Sequence, residues 1–171
     1  MLDWCSTHPE MIARPATLAD TAELVRIVNL AYVVEAEIFR GDRTSEPDVR
    51  ARIATPNAVF LVIPDDAAGA APGALAGSVC VETRGNRGFF GMLAVDPNRQ
   101  GRGLGRALVR AAEEYSRARE CVHMDLDVVH LRRELTRFYG SLGYTVVAEA
   151  DYPRPEETMV PVKLIRMTKP L

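Results

Sequence analysis

The chain has 171 residues, which suits one domain, residues 1–171, able to bury about 70% of its unfolded surface. Its formal net charge of −2 argues against a nucleic-acid or anionic-membrane protein, because such proteins carry a basic excess. Cys5, Cys80 and Cys121 are an odd number without close pairing, which predicts free thiols in a reducing compartment, the cytoplasm.

The first ten residues lack the basic region and apolar run of a secretory signal peptide. We therefore expect residues 1–10 to be a flexible extension of the domain. No apolar stretch of the sequence approaches the roughly 18 residues of a membrane span, so no membrane partner is expected.

Two helices are predicted in the first third of the chain, after a short strand at residues 11–14. Thr17, with Asp20 three residues later, resembles a capping box that opens a helix ending near Tyr32. The second helix begins at Ser45, just before a proline suited to a first turn. The apolar face of the first helix is predicted to contain Leu18, Ala22, Val25 and Val28.

Strands follow in the middle of the chain. They are predicted at residues 58–63, 75–83 and 89–95. A turn at residues 84–87 joins the last two into a hairpin, and small residues at 65–73 predict a surface loop. These strands are expected to form one sheet.

A glycine-rich loop separates the third strand from an amphipathic helix predicted at residues 103–116. At a helix start, backbone N–H groups lack carbonyl partners within the helix, and the helix dipole adds about half a positive charge. Phosphate oxygens can accept these hydrogen bonds, and nearby arginines add full charges. The loop is therefore predicted to bind a pyrophosphate through Gln100, Gly101, Arg102, Gly103, Leu104, Gly105 and Arg106.

The spacing of the glycines excludes two common nucleotide-binding loops. A dinucleotide fingerprint starting at Gly101 requires Gly or Ala in place of Arg106, and one starting at Gly103 requires it in place of Leu108. A Walker A loop requires Gly-Lys before Ser or Thr, and the sequence contains no Gly-Lys. NAD and ATP are therefore not expected at this loop.

The rest of the chain continues the mixture of strands and helices. The predicted elements are a strand at residues 122–128, a helix marked by Leu131, Leu135, Phe138 and Leu142 and ended by Gly143, and strands at residues 144–148 and 162–167.

Two motifs of this chain resemble those of the GNAT superfamily of acetyl-CoA-dependent N-acetyltransferases. Gln100, Gly103 and Gly105 fit the family's phosphate loop, which commonly follows a strand ending in Val-x-Pro. Residues 138–144, F-Y-G-S-L-G-Y, resemble its second signature. Residues 14–20 are similar to the family's opening motif, so the resemblance spans most of the chain.

The resemblance implies a three-layer α/β/α fold whose mixed, mostly antiparallel sheet splays open to admit acetyl-CoA. It implies that a primary amine attacks the thioester directly and accepts the acetyl group, with no metal. In the family the pantetheine arm lies along the strand before the glycine loop, which by position implies Leu93 and Val95 here. The acceptor is expected to be a small-molecule or peptide amine, and a homodimer is compatible with this class of domain.

Proton transfer requires an acid and a base. Tyr139 holds the family's tyrosine position and is predicted to protonate or position the thiol, whose ordinary pKa is about 8.5 against about 10 for a phenol. Glu82 is the predicted base, because it is an isolated carboxylate ending the strand adjacent to the thioester strand. Asp125, Asp127 and Glu35 are alternatives.

Two further groups have open interpretations. His130 lies where many relatives carry Asn, and it is predicted either to contact the pantetheine amide or a relay water, or to cap the following helix. The acidic residues within 149–157 either line the acceptor side, favouring a cationic substrate, or form a solvated loop.

Other classes of function fit the sequence less well. A non-catalytic acyl-CoA-binding sensor would keep the glycine loop, but Tyr139 argues against it. Cys121 and His123 lie two apart on a strand without an activating helix start, so both are predicted to be structural. His8, His123 and His130 lack the paired ligand spacings of a zinc site, so no metal is expected.

Overall fold

The computed structural model describes residues 13–171, which contain four α-helices and seven strands. The helices are α1 (Thr21–Tyr32), α2 (Glu46–Ala54), α3 (Leu104–Arg117) and α4 (Arg133–Gly140). The strands are β1 (Arg14–Pro15), β2 (Ala58–Pro64), β3 (Leu75–Arg84), β4 (Arg87–Val95), β5 (His123–Val129), β6 (Thr145–Asp151) and β7 (Lys163–Pro170). The predicted extension at 1–10 and the start of the predicted first strand lie outside the described residues.

All seven strands belong to one sheet in the order β1-β2-β3-β4-β5-β7-β6. Every neighbouring pair is antiparallel except β4 and β5, which are parallel, so the predicted mixed, mostly antiparallel sheet is confirmed. The parallel ladder ends where Phe89 pairs with Asp125. Beyond that point β4 and β5 no longer pair, which leaves a gap in the middle of the sheet.

Apolar side chains on both faces of the sheet form two cores and make the fold three-layered. On one face, α3 buries Leu108 and Ala111, and α4 buries Tyr139. On the other face, α1 and α2 bury Ile27 and Val49 against the sheet. The predicted α/β/α layering is confirmed. None of the helices within residues 13–171 combines the length and the apolar character needed to cross a membrane.

The buried face of α1 differs from the predicted one. Val28 is fully buried, as predicted, but Leu24 and Ile27 are buried with it, whereas Ala22 is exposed and Leu18 is 54% exposed. Leu18 belongs to a 3₁₀ turn that precedes α1. Because a 3₁₀ turn has three residues per turn rather than 3.6, it shifts the phase of the apolar positions that follow. The predicted capping box is present, and the Thr17 N–H donates to the Asp20 carboxylate over 2.8 Å.

The last helix is shorter than predicted at both ends. Leu131 precedes α4 and is 46% exposed. After Gly140 the chain tightens, because the Leu142 N–H donates to the Tyr139 carbonyl three residues back. Gly143, with φ of +94°, then turns the chain towards β6 instead of capping α4 directly. The apolar periodicity of this segment therefore extends beyond the helix itself.

Replacing Asp20 by Asn is expected to lower the free energy of unfolding by roughly 1 to 2 kcal/mol near neutral pH. Hydrogen bonds from the Arg14 guanidinium, at 2.8 and 2.9 Å, hold the pKa of Asp20 below its usual value, although burial opposes them. A depressed folded-state pKa stabilises the fold above the unfolded pKa of about 3.9, and this contribution is lost as the pH falls through the folded pKa.

Urea unfolding of Asp20→Asn and the parent protein across this pH range measures the effect. Asp66→Asn, which removes a charge from an exposed loop, is the control. A difference between Asp20→Asn and the parent that persists unchanged in strong acid would contradict the ion-pair explanation.

Candidate active site

The glycine loop forms an open cradle at the N-terminus of α3. Gly101 and Gly103 both have φ of +77°, a left-handed conformation that favours glycine. No atom lies within 4 Å of a Cβ built on either residue, so the space above the loop is free. Gly103 is the N-cap of α3, whose first N–H groups have no acceptor within the helix. The cradle is therefore suited to an anion.

Two arginines flank this cradle. The Arg106 guanidinium donates to Ser141 Oγ over 3.3 Å and lies 5.7 Å from the centre of the Phe138 ring. Arg102 is exposed, and within residues 13–171 no carboxylate lies within 4.0 Å of either guanidinium. Arg99 instead forms an ion pair with Asp65 at 3.0 Å, which ties the start of the loop to the segment before β3.

A cavity of about 270 Å³ opens where β4 and β5 stop pairing. Leu93 from β4, Val128 from β5 and Tyr139 from α4 line it. The structure thus brings three elements that are distant in sequence to one space. Of the remaining predicted residues, Val95 packs against the core next to α3 and does not line this cavity, while Gln100 is exposed in the loop.

A β-bulge interrupts β4 beside the cavity. Met92 and Leu93 together oppose Val79 on β3, and Met92 has φ of +51°. A residue other than glycine in this region costs about 1 to 3 kcal/mol, and such strain often occurs at functional sites. The bulge redirects the backbone of the strand along which the pantetheine arm is predicted to lie. The apolar sequence of β4 does not indicate that the strand contains a bulge.

Tyr139 is 6% exposed and lies among aromatic rings at the cavity wall. Its ring centre is 5.1 Å from that of Phe138 and 5.7 Å from that of Phe90. Burial raises the pKa of Tyr139, so the phenol stays protonated at neutral pH. Within the described part of the chain no side chain or backbone group hydrogen-bonds to its hydroxyl, which is consequently available to donate.

Glu82, the predicted base, lines the same cavity near the end of β3. Its carboxylate contacts Arg84 at 2.7 Å and Arg52 at 3.6 Å, and its side chain is 27% exposed. Both oxygens of Glu82 are thus engaged in ion pairs.

Glu35, one of the alternative bases, has a different environment. It is 5% exposed, at the end of a 3₁₀ turn after α1. Its Oε1 accepts a hydrogen bond from Arg132 over 2.8 Å. Burial raises the pKa of Glu35, while the charges of Arg132 and Arg43 oppose this shift. A carboxylate whose pKa is raised in a cavity is a candidate for proton transfer.

The other two alternative carboxylates belong to ion pairs on β5. Asp125 accepts two hydrogen bonds of 2.6 Å from Arg87. Burial raises the pKa of Asp125, but the hydrogen bonds from Arg87 and Thr168 and the charges of Arg87 and Arg166 together lower it below its ordinary value. Asp127 accepts two of 2.8 Å from Arg166. Asp127 reaches the cavity wall, whereas Asp125 does not line it.

His130 joins the ends of β5 and β7. Its ring Nδ1 accepts a hydrogen bond of 3.0 Å from the Lys163 backbone N–H. The backbone N–H of His130 donates to the Lys163 carbonyl over 2.9 Å. The N-cap of α4 is Arg132, so the alternative prediction that His130 caps this helix is wrong. The pairing of β5 with β7 places the His130 ring next to Lys163. The local sequence did not indicate this pairing.

A second cavity, of about 570 Å³, continues from the first beneath the loop between α1 and α2. Tyr32, Glu35 and Arg43 line both cavities. Of the acidic residues at 149–157, Glu157 lines the second cavity, where it pairs with Arg154 at 3.1 Å. Neither Tyr32 nor Arg43 belongs to a motif, so the sequence did not indicate that they line a cavity.

The described cysteines are buried free thiols. Cys80 lines the first cavity, and burial raises its pKa to about 11. Burial also raises the pKa of Cys121. Protonated thiols are poor nucleophiles, so this chemistry does not support a cysteine nucleophile. Within residues 13–171, no group of three or more His, Cys, Asp or Glu side chains is placed to hold a metal ion.

Several solved structures share this fold. Ribosomal-protein-alanine N-acetyltransferase from Brucella melitensis has a TM-score of 0.73 at 19% identity, covering 93% of this chain and 99% of its own. Phosphinothricin acetyltransferase from Sinorhizobium meliloti, in complex with AcCoA, has a TM-score of 0.73 at 17% identity, covering 93% and 87%. Nourseothricin acetyltransferase has a TM-score of 0.69 at 21% identity, covering 92% and 96%.

A search of curated protein sequences finds no match to the chain. The model of the acetyltransferase (GNAT) family, however, matches residues 25–144. This range includes the glycine loop, the bulged strand β4 and the motif around Tyr139. The chain therefore belongs to the GNAT acetyltransferase family and is an acyltransferase.

Proposed function

We propose that this protein transfers the acetyl group of acetyl-CoA to the primary amine of an acceptor, by direct attack of the amine on the thioester. One observation carries the proposal: the gap between β4 and β5 opens after Phe89, along the second half of β4, and the open glycine cradle follows the end of that strand at Val95. A nucleotide held at the cradle can therefore extend an arm along β4 to Tyr139.

The residues present fit coenzyme A. The pyrophosphate would be held by N–H groups of the loop and of α3, supported by Arg102 and Arg106. The pantetheine arm would lie along β4 at Leu93 and Val95, where strand N–H and carbonyl groups can hydrogen-bond to it. His130 retains Nε2 for a contact with the arm or with a relay water, because only Nδ1 is used by Lys163.

The reaction requires that the amine lose a proton and that the charge developing on the sulfur be stabilised. The amine nitrogen attacks the thioester carbon, a C–N bond forms, and the C–S bond then breaks to release the thiolate of coenzyme A. The Tyr139 hydroxyl donates a hydrogen bond to the sulfur as its charge develops. Because burial raises the pKa of Tyr139, stabilising the thiolate by this hydrogen bond is more favourable than complete proton transfer.

The base must take a proton from the amine, which as an ordinary ammonium is neutral in only about one molecule in 10³ at neutral pH. The burial of Glu35 and its position between the two cavities support it as this base. Glu82, the first prediction from the sequence, is the second candidate: its ion pairs engage both carboxylate oxygens, whereas Arg132 pairs with Oε1 of Glu35.

Glu35→Gln is expected to lower kcat/KM by about 10²-fold or more and to remove the acidic limb of its pH profile, since the base must be deprotonated. Because burial raises its pKa, the parent limb lies above the ordinary pH range of a glutamate. Glu82→Gln is the matched control and should retain the acidic limb of the pH profile of kcat/KM. The opposite pattern would assign the base to Glu82.

The test of the function is release of free thiol from acetyl-CoA in the presence of a panel of primary amines, with mass spectrometry of the acetylated product. Thermal unfolding provides a separate measure of binding, because a ligand of the folded state raises Tm with its concentration. Acetyl-CoA and coenzyme A should raise Tm, and NAD and ATP should do so much less. Binding without acetylation of any amine would favour the alternative of a non-catalytic acyl-CoA sensor.

A further inference from the structure

The charged side chains where the two cavities meet are mostly positive. Arg43, Arg52 and Arg154 line both cavities, and the carboxylate that does so is Glu35. Glu35 is already paired with Arg132. An acceptor that enters the first cavity through the second must pass these groups, so their charge bears on which acceptors are admitted.

The three arginines differ in whether their charge is used within the protein. Arg52 pairs with Asp48 at 3.1 Å, and Arg154 pairs with Glu157 at 3.1 Å. Arg43 has no carboxylate within 4.0 Å among residues 13–171. Its guanidinium also hydrogen-bonds to the Tyr32 side chain, and its other N–H groups remain for a carboxylate brought by another molecule.

Aromatic rings hold Arg43 in place. Its guanidinium carbon lies 5.1 Å from the centre of the Tyr32 ring and 5.8 Å from that of Phe39. These cation–π contacts use the face of the planar group, whereas bonds to a carboxylate use its N–H edges. Arg43 is thus positioned before any ligand arrives, and its charge already acts on Glu35 and Tyr32.

We propose that Arg43 binds a carboxylate of the acceptor, so that the acceptor is an amine carrying a carboxylate, as an amino acid does. This inference rests on the proposed acetyl transfer and specifies its substrate class. The amine would face Glu35 and the thioester while the carboxylate contacts Arg43 in the same space. It differs from the interpretation in which the acidic residues at 149–157 favour a cationic acceptor, because Glu157, which lines the second cavity, forms an ion pair with Arg154.

The experiment compares matched acceptors in the thiol-release assay. The panel contains the standard L-amino acids, the corresponding amino acid amides, and the amines that lack the carboxyl group. The carboxylate series should have a kcat/KM at least about ten-fold higher than its amide series. Arg43→Gln should remove this preference mainly through KM, and Arg43→Lys should restore part of it. Arg110→Gln, which removes an exposed charge on α3, should keep the preference.

A binding measurement covers acceptors that the panel lacks. The coenzyme A complex is titrated with N-acetyl amino acids and with their amides, and Tm is recorded for the parent and Arg43→Gln. The acids should raise Tm of the parent more than the amides do, and Arg43→Gln should abolish the difference. Equal responses to acids and amides in both measurements would overturn the inference, as would a preference for O-phosphoethanolamine, an amine with a phosphate.

The proposed acetyl transfer and the proposed role of Arg43 can be tested separately. If amides or simple amines are acetylated as well as amino acids, the acetyltransferase activity stands and the role of Arg43 is wrong. If coenzyme A fails to raise Tm, the proposed function itself fails, whatever the response to carboxylates.

Discussion

Replacing Gly103 by Asp is expected to abolish the rise in Tm caused by coenzyme A. Gly103 has φ of +77° and caps α3, with open space where a Cβ would stand. An aspartate there strains the backbone, occupies the cradle and places a negative charge where a pyrophosphate would lie. Thermal unfolding at increasing coenzyme A concentration measures the loss.

Gly85→Asp provides a matched control for this variant. Gly85 also has positive φ, +59°, and equally open space, so the substitution adds similar strain and the same charge. It lies in the turn before β4, at the opposite end of that strand from the glycine loop. Gly85→Asp should lose stability but keep the full response to coenzyme A. An unchanged response in Gly103→Asp would refute the assignment of the pyrophosphate site.

Tyr139→Phe is expected to lower kcat by roughly 10² to 10⁴-fold, equivalent to about 3 to 5 kcal/mol, while affinity for acetyl-CoA stays within a few-fold. The variant removes only the hydroxyl, and the ring retains its contacts with Phe90 and Phe138. Single-turnover kinetics measures the rate of acetyl transfer, and thermal titration measures binding of acetyl-CoA.

Tyr115→Phe removes a hydroxyl from another buried tyrosine, on the core face of α3 and away from both cavities. It should leave kcat close to that of the parent. If Tyr139→Phe instead loses stability with normal turnover, Tyr139 has a packing role and the thiolate is stabilised by other groups.

The second signature contains two tyrosines, Tyr139 and Tyr144, and their environments differ in the structure. Tyr139 lines the cavity. The Tyr144 hydroxyl donates to the buried Glu113 on α3 over 2.9 Å, and Lys169 on β7 contacts the same carboxylate at 2.9 Å. Tyr144 therefore helps to fix α3 against the sheet, and only Tyr139 is placed for chemistry.

The sequence by itself determined the family, the order of the elements and the glycine loop. These features are local: a loop with glycines at Gly101 and Gly103, followed by an apolar stripe of helical period, specifies a turn and a helix start within about ten residues. Tyr139 could be identified for the same reason, because it lies inside a short motif.

Only the tertiary structure decided which face of α1 is buried, where β4 is bulged, and which carboxylate and arginine lie between the cavities. The Glu35–Arg132 ion pair joins residues 97 positions apart. Arg43 comes to the cavity because its loop folds back over Tyr32. Periodicity and short motifs depend on residues that are close along the chain. Burial, ion pairing and raised pKa values depend on residues that are close in space but distant in sequence.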